Sequence, residues 1–279
     1  MKILITGADG FIAHGVIKEL LNHDVDITAA GLHECGISSP RLKELVGDVL
    51  DASLTYEDLG EPDVVLHLAW RKGFEHYDDA HIGDLNRHYE FLRRMARSGV
   101  KRLAVMGTMH EVGYFEGKVC DDTPCNPITP YGVAKNALRQ LTEIISNKYG
   151  IEYQWLRGFY LVNNDGAGNS IFSKIVQASN KGQDTFPFTS GTCKYDFLPY
   201  EAFCHQVASA VLQNELCGII NICSGIPVAL GEYVEEFISN NKLGIRLAYG
   251  SYPDRPYDSP AIWGDNEKIK EILANEKRS

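Results

Sequence analysis

The chain has 279 residues, with 27 Lys and Arg against 37 Asp and Glu, a net charge of −10 that is the wrong sign for a nucleic-acid backbone binder. Hydrophobic residues make up 44% and charged residues 23%, which excludes a disordered or low-complexity chain. No stretch approaches the roughly 18 apolar residues that a bilayer-spanning helix needs, and the seven cysteines, odd in number and without a C-x-x-C pair, read as reduced thiols of a cytoplasmic protein.

Lys2 to Thr6 is a short apolar strand, and it reaches Gly7 too soon for a signal peptide. Phe11, Ile12, Val16, Ile17, Leu20 and Leu21 then recur at helical spacing. Val25 to Ala30 reads as a second strand. Asp63 to Ala69 is a near-continuous apolar run, as a strand covered on both faces requires. Arg87 to Arg97 is helical with Gly99 as its stop, Lys101 to Met106 is another buried strand, Tyr131 to Tyr149 is a long helix ended by Gly150, and Ile151 to Arg157 is a strand. A further helix (Glu201 to Gln213) and strand (Ile219 to Cys223) follow a region richer in Gly, Asn and Pro. Strands alternating with helices predict an α/β fold: a Rossmann-type, doubly wound parallel sheet with a smaller C-terminal α/β substrate lobe. The expected division is 1–158, with segments returning at about 194–224, for the dinucleotide-binding domain. The substrate lobe then takes 159–193 and 225–279.

Thr6-Gly7-Ala8-Asp9-Gly10-Phe11-Ile12-Ala13 lies between the first strand and the first helix. Two glycines let the backbone turn tightly and come close to a ligand, and the helix N-terminus offers free N–H groups to a diphosphate. At the end of the second strand an acidic residue would bind the adenosine ribose of NAD, and a basic one the 2′-phosphate of NADP. The sequence there is Ala29-Ala30-Gly31-Leu32-His33-Glu34, with no Asp near Gly31. His33 suits a phosphate and Glu34 suits ribose hydroxyls, so the expectation is NADP, with NAD as the alternative.

Tyr131 and Lys135 stand at i and i+4, on one face of a helix that Pro130 introduces. A cationic neighbour favours the phenolate, so the tyrosine can exchange a proton with a carbonyl oxygen, while the lysine also holds cofactor ribose hydroxyls. Thr108 follows the strand Lys101 to Met106, where ligands of a parallel sheet gather. His76, His81 and His88 lack a metal-ligand spacing, and no catalytic metal is expected. These residues alone reach as far as carbonyl/alcohol oxidoreduction with a dinucleotide.

Together they resemble the extended short-chain dehydrogenase/reductases, the family of nucleotide-sugar epimerases, dehydratases and reductases. The resemblance implies that Gly7, Asp9, Gly10, Phe11 and Ile12 form the cofactor turn, and that Asp48 and Val49 contact adenine. His67-Leu68-Ala69 resembles the strand end beside the ribose, and Asn86 matches a recurrent helix asparagine. Thr108, Tyr131 and Lys135 resemble the catalytic triad. Cys193-Lys194-Tyr195-Asp196-Phe197 is similar to the family's Arg-Asp-Phe segment, and Arg255-Pro256 to its late Arg-Pro. Lys194 and Arg255 are the candidates for the substrate diphosphate. Met109-His110 stand where the 4,6-dehydratases carry Asp-Glu, which argues against a dehydratase. His110 is either a binding residue or a catalytic acid. Tyr160 replaces the usual Asn of the segment after Leu156-Arg157, and Trp70 either walls the sugar pocket or packs. The resemblance implies reduction of a nucleotide-diphosphate-linked 4-keto-6-deoxy sugar to the 6-deoxyhexose, in a homodimer built through a four-helix bundle. The rival readings are an NAD-dependent 4-epimerase and a non-catalytic dinucleotide sensor.

Overall fold

The structure, a computed structural model, describes residues 1–163, 170–254 and 259–276. The first half runs β1 (Lys2–Thr6), α1 (Phe11–Leu20), β2 (Asp26–Gly31), β3 (Leu42–Val46), β4 (Val64–His67), α2 (Ala80–Gly83), α3 (Leu85–Ser98) and β5 (Arg102–Thr108). Next come β6 (Gly117–Val119), α4 (Pro130–Tyr149), β7 (Glu152–Gly158), β8 (Tyr160–Val162), α5 (Ile171–Asn180), β9 (Thr185–Pro187) and β10 (Lys194–Pro199). The chain continues through α6 (Tyr200–Leu212), β11 (Gly218–Ile222), β12 (Pro227–Ala229), α7 (Leu230–Asn240), β13 (Arg246–Ala248), β14 (Ala261–Gly264) and α8 (Glu267–Glu276).

The apolar runs form the middle of a seven-stranded sheet in the order β3-β2-β1-β4-β5-β7-β11, every neighbouring pair parallel. Side chains alternate across each strand, so Ile3 and Ile5 of β1 enter one core and Leu4 enters the other. On the first face α1, α6 and α8 bury Val16, Ile17, Val207, Val211, Ile269 and Ile272. On the second, α3 and α4 bury Phe91, Leu92, Met95, Leu138 and Ile145. Each such side chain contributes about 1.5–3 kcal/mol of transfer free energy, which is what holds helices to both faces. Strand order reverses between β1 and β4, and the crevice for a ligand lies beyond the carboxyl ends of these two strands.

A second sheet, β12-β10-β14-β6 with β8 beside β10, carries α5 and α7 over a separate core that includes Phe172, Ile175, Tyr195, Phe197, Val234 and Phe237. β9 and β13 form a small parallel pair. The lobe boundaries differ from the expectation. β10 joins the second sheet rather than returning to the main one, because its Phe197 and Tyr195 face the lobe core. β6 reaches that sheet from within the first 158 residues. α8, expected in the lobe, packs on α6 and β11 through Ile269 and Ile272. Asp196, wholly buried, ties the lobe together by accepting hydrogen bonds from the backbone of Ser224, Gly225 and Gly264 at 2.7, 2.8 and 3.1 Å.

Candidate active site

The glycine turn forms as the spacing predicts. Gly7 has φ +67°, and a Cβ there would lie 2.7 Å from the Ala69 Cα, so only glycine lets β1's exit touch β4's. Gly10 caps α1 without a side-chain acceptor, leaving the first-turn N–H groups open to an anion. A diphosphate therefore fits this cradle.

The floor beneath it is polar and closed. Thr6 Oγ1 accepts from the Ala69 amide at 3.2 Å and bonds His67 Nδ1 at 2.8 Å. His67 Nε2 meets His88 Nδ1 of α3 at 2.9 Å. Burial holds His67 well below the usual imidazole range and pushes His88 down to about 3, so both rings are neutral.

The second half of the site is built at the end of β5. Thr108 caps a single 3₁₀ turn (Met109–Glu111): its hydroxyl accepts the His110 amide at 3.2 Å, while Glu111 reaches back to the Thr108 amide. Glu111 is fixed in turn by Arg157 Nε at 2.7 Å and Trp155 Nε1 at 2.8 Å, all three side chains being buried. Thr129 and Pro130 start α4, and Gly132 is pressed so close to the His110 carbonyl that a Cβ would lie 2.5 Å from it. This contact sets Tyr131 beside Thr108, close enough for the Thr108 side chain to pull the phenol's pKa down. One turn on, buried Lys135 donates to the Met106 carbonyl at 2.8 Å and lies 4.0 Å over the Trp70 ring.

The electrostatics differ from the sequence expectation of a phenol acidified by its lysine. Burial pushes Tyr131 up to about 12, against the pull of the Thr108 side chain. Burial also pushes Lys135 down to about 7, with Glu111 opposing. Desolvation is the largest cause at both groups, so the tyrosine is held as a neutral phenol.

Rings surround that phenol. His76 stacks on Tyr131 at 4.9 Å and 11°, with Trp70, His81 and His110 at 6.2, 5.1 and 6.1 Å. Trp70 Nε1 donates to His81 Nδ1 at 3.1 Å, which places the His81 proton on Nε2, 3.0 Å from the Glu75 carbonyl. Trp70 thus both covers Lys135 and borders the site. His76 and His81 were read from the sequence only as a rejected metal set. Their role as walls depends on the Tyr131 amide binding the His76 carbonyl at 3.1 Å, a loop contact that no spacing announces.

The other expected residues fall as follows. Phe11 is exposed and stacks on Tyr200, whereas Ile12 packs toward the α6 core. Asp48 pairs with Arg87 at 2.5 Å. Burial works against the charge of that carboxyl, but the Arg87 hydrogen bond holds it below its usual range. The side chain of Val49 is buried in the core. Leu68 donates its amide to the Thr6 carbonyl, and Ala69 is the residue against Gly7. Asn86 lines a surface cavity of about 420 Å³ with Asp48 and Arg87. His33 and Lys194 are exposed. Met109, also a candidate for the substrate, is buried within the lobe core. Tyr160 lies 4.5 Å from Tyr195 and 6.3 Å from His110, on the lobe side of the crevice. Arg255 lies outside the described residues.

The family of this arrangement follows from comparison. The sequence profile of the NAD dependent epimerase/dehydratase family matches residues 3–223. The chain belongs to that family. Among curated relatives it is 42% identical over 269 residues to a dTDP-6-deoxy-L-talose 4-dehydrogenase (NAD(+)) of Aggregatibacter actinomycetemcomitans, covering 95% of this chain and 99% of that protein. Among solved structures the fold of this epimerase/dehydratase family member is similar to MoeE5 in complex with UDP-glucuronic acid and NAD. The TM-score is 0.83 at 22% identity, over 98% of this chain and 93% of that one. It is also similar to DesIV, a dTDP-glucose 4,6-dehydratase from Streptomyces venezuelae with NAD and TYD bound, at TM-score 0.82 and 18% identity over 97% and 90%.

Proposed function

We propose that this chain is an NAD(H)-linked oxidoreductase acting at C4 of a nucleotide-diphosphate 6-deoxyhexose, reducing the 4-keto sugar to its alcohol or running the reverse. The observation that carries it is the cluster of Tyr131, Thr108 and buried Lys135 at the carboxyl end of β5, with Lys135 and Tyr131 against Trp70, the residue next to the Ala69 that touches Gly7. The full-length similarity to a dTDP-6-deoxy-L-talose 4-dehydrogenase supports a dTDP-linked 6-deoxytalose as the sugar.

When bound, the dinucleotide supplies the hydride to the ketone carbon. Tyr131 gives its proton to the ketone oxygen, and burial keeps that proton on the phenol until it is used. Thr108 orients the same oxygen. Lys135 sits next to the tyrosine with a pKa of about 7, poised to hold a ribose hydroxyl and to return a proton. Gly7, Gly10 and the α1 N-terminus take the cofactor diphosphate. Trp70, His110 and Tyr160 border the sugar, and Lys194 is assigned to the sugar's diphosphate. NADP, expected from the strand-end residues, is replaced by NAD. Both the relative's name and the carboxylate of Asp9 favour the cofactor without the 2′-phosphate.

The functional form is assigned as a homodimer through the outer face of α4, where Val133 and Ile144 are exposed at 44% and 62%. Light scattering should then give twice the mass of one chain, and a single-chain mass would refute it. The seven unpaired thiols suit the reducing cytoplasm.

Purified enzyme with NADH and dTDP-4-keto-6-deoxyhexose should lose nicotinamide absorbance as the 6-deoxyhexose accumulates. Sugar interconversion at constant absorbance would make it a 4-epimerase, and NADH binding without turnover a sensor.

A further inference from the structure

The end of β2 lacks the acidic side chain that holds adenosine ribose hydroxyls in dinucleotide-binding sheets, because residue 31 is glycine. The space in front of it is nevertheless filled. A Cβ built on Gly31 would lie 2.5 Å from Asp9 Oδ1 and 3.0 Å from the Asp9 amide nitrogen. The Asp9 carboxylate thus occupies the place that a side chain at position 31 would take. Two backbone bonds fix this crossing: the Ala8 amide donates to the Ala30 carbonyl at 3.0 Å, and the Gly47 amide to the Gly31 carbonyl at 2.8 Å. Asp9 itself is exposed, and it precedes the α1 cap residue Gly10.

From this geometry we infer that Asp9 and Gly31 act as one cofactor-selecting device, in which the ribose-binding acid is delivered from the glycine turn instead of from the strand. The inference rests on the dinucleotide reading above. Two ribose hydroxyls donate well to a carboxylate. A 2′-phosphate in the same place brings about two negative charges against it, in a turn whose open N–H groups are already committed to the diphosphate. Glycine at 31 is the other half of the device, since a Cβ there would lie 2.5 Å from Asp9 Oδ1 and displace the carboxylate. His33, the basic residue that the sequence offers for a phosphate, is exposed two residues further on and does not fill this space.

The test is cofactor affinity, read by nicotinamide fluorescence in the absence of sugar. Wild-type protein should bind NADH about 100-fold more tightly than NADPH, as expected where a carboxylate faces a phosphate. Asp9→Asn should bring that ratio to within about tenfold by weakening NADH and strengthening NADPH. The double variant Asp9→Gly with Gly31→Asp, which moves the acid to the strand end, should restore the NADH preference. A ratio unchanged in Asp9→Asn overturns the inference, even if both affinities fall together through damage to the turn. Equal wild-type binding of the two cofactors also overturns it, while leaving the ketoreductase reading intact. Wild-type protein that binds neither refutes the dinucleotide reading itself.

Discussion

Lys135 shows how the site's chemistry is set residue by residue. Its ammonium has lost water and gained one carbonyl, Met106 O, and one ring face, Trp70. These do not replace full hydration, and its pKa falls to about 7 against about 10.4 in an unfolded chain. Between those values the unfolded chain binds the extra proton, so the lysine makes stability rise with pH. Below pH 7 both states are charged and the penalty is constant. The buried thiol of Cys204, pushed up to about 12, acts in the opposite sense above its unfolded value of about 8.5. The clean window is therefore pH 7 to 8.5, where Lys135 should add about 2 kcal/mol of stability. Denaturant unfolding of the wild type and of Lys135→Met across that window measures it. The variant should lack the rise, and parallel curves would show that the lysine is not desolvated. The i, i+4 spacing and Pro130 made the Tyr131–Lys135 pair legible in the sequence. The sign of their pKa shifts was not, because burial in a fold is a property of neighbours such as Trp70 that lie far away along the chain.

At the scale of elements, β1, β4 and α3 are joined by the buried line Thr6–His67–His88. Two neutral imidazoles can share such a line, each using one nitrogen as donor and one as acceptor, but two cations cannot. Their folded pKa values lie below the unfolded value of about 6.5, so stability is complete above that pH and falls as pH drops through the range where only the unfolded chain is protonated. Each ring should contribute a slope of about 1.4 kcal/mol per pH unit below pH 6. His88→Asn should flatten the acid limb of a thermal-stability profile, and an unaltered limb would place the acid sensitivity elsewhere. The strands in this line were readable because Val64–Leu66 and Leu103–Val105, covered on both faces, are unbroken apolar runs. β3 was not readable. It lies at the sheet edge with Lys43 and Glu44 in its centre and no apolar run. The lobe strands β9, β12 and β13, three residues each, carry too few residues for any period to show.

At the scale of the molecule, the reversal of strand order between β1 and β4 brings the glycine turn to the same crevice as the ends of β4 and β5, and the second sheet faces it with Tyr160. The order of motifs along the chain was enough to foresee the sheet and its glycine turn. The loop from Trp70 to Asp79, which sets His76 on the Tyr131 ring, was not foreseeable, because the contact is made by backbone and its residues follow no helix or strand period. The whole account turns on the Tyr131 phenol as the proton donor to a sugar ketone. The most direct measurement compares single-turnover NADH oxidation by wild type and Tyr131→Phe with a dTDP-4-keto-6-deoxyhexose, together with NADH affinity. The variant should turn over about a thousandfold more slowly with NADH affinity unchanged, whereas turnover within tenfold of wild type would contradict the role given to this residue.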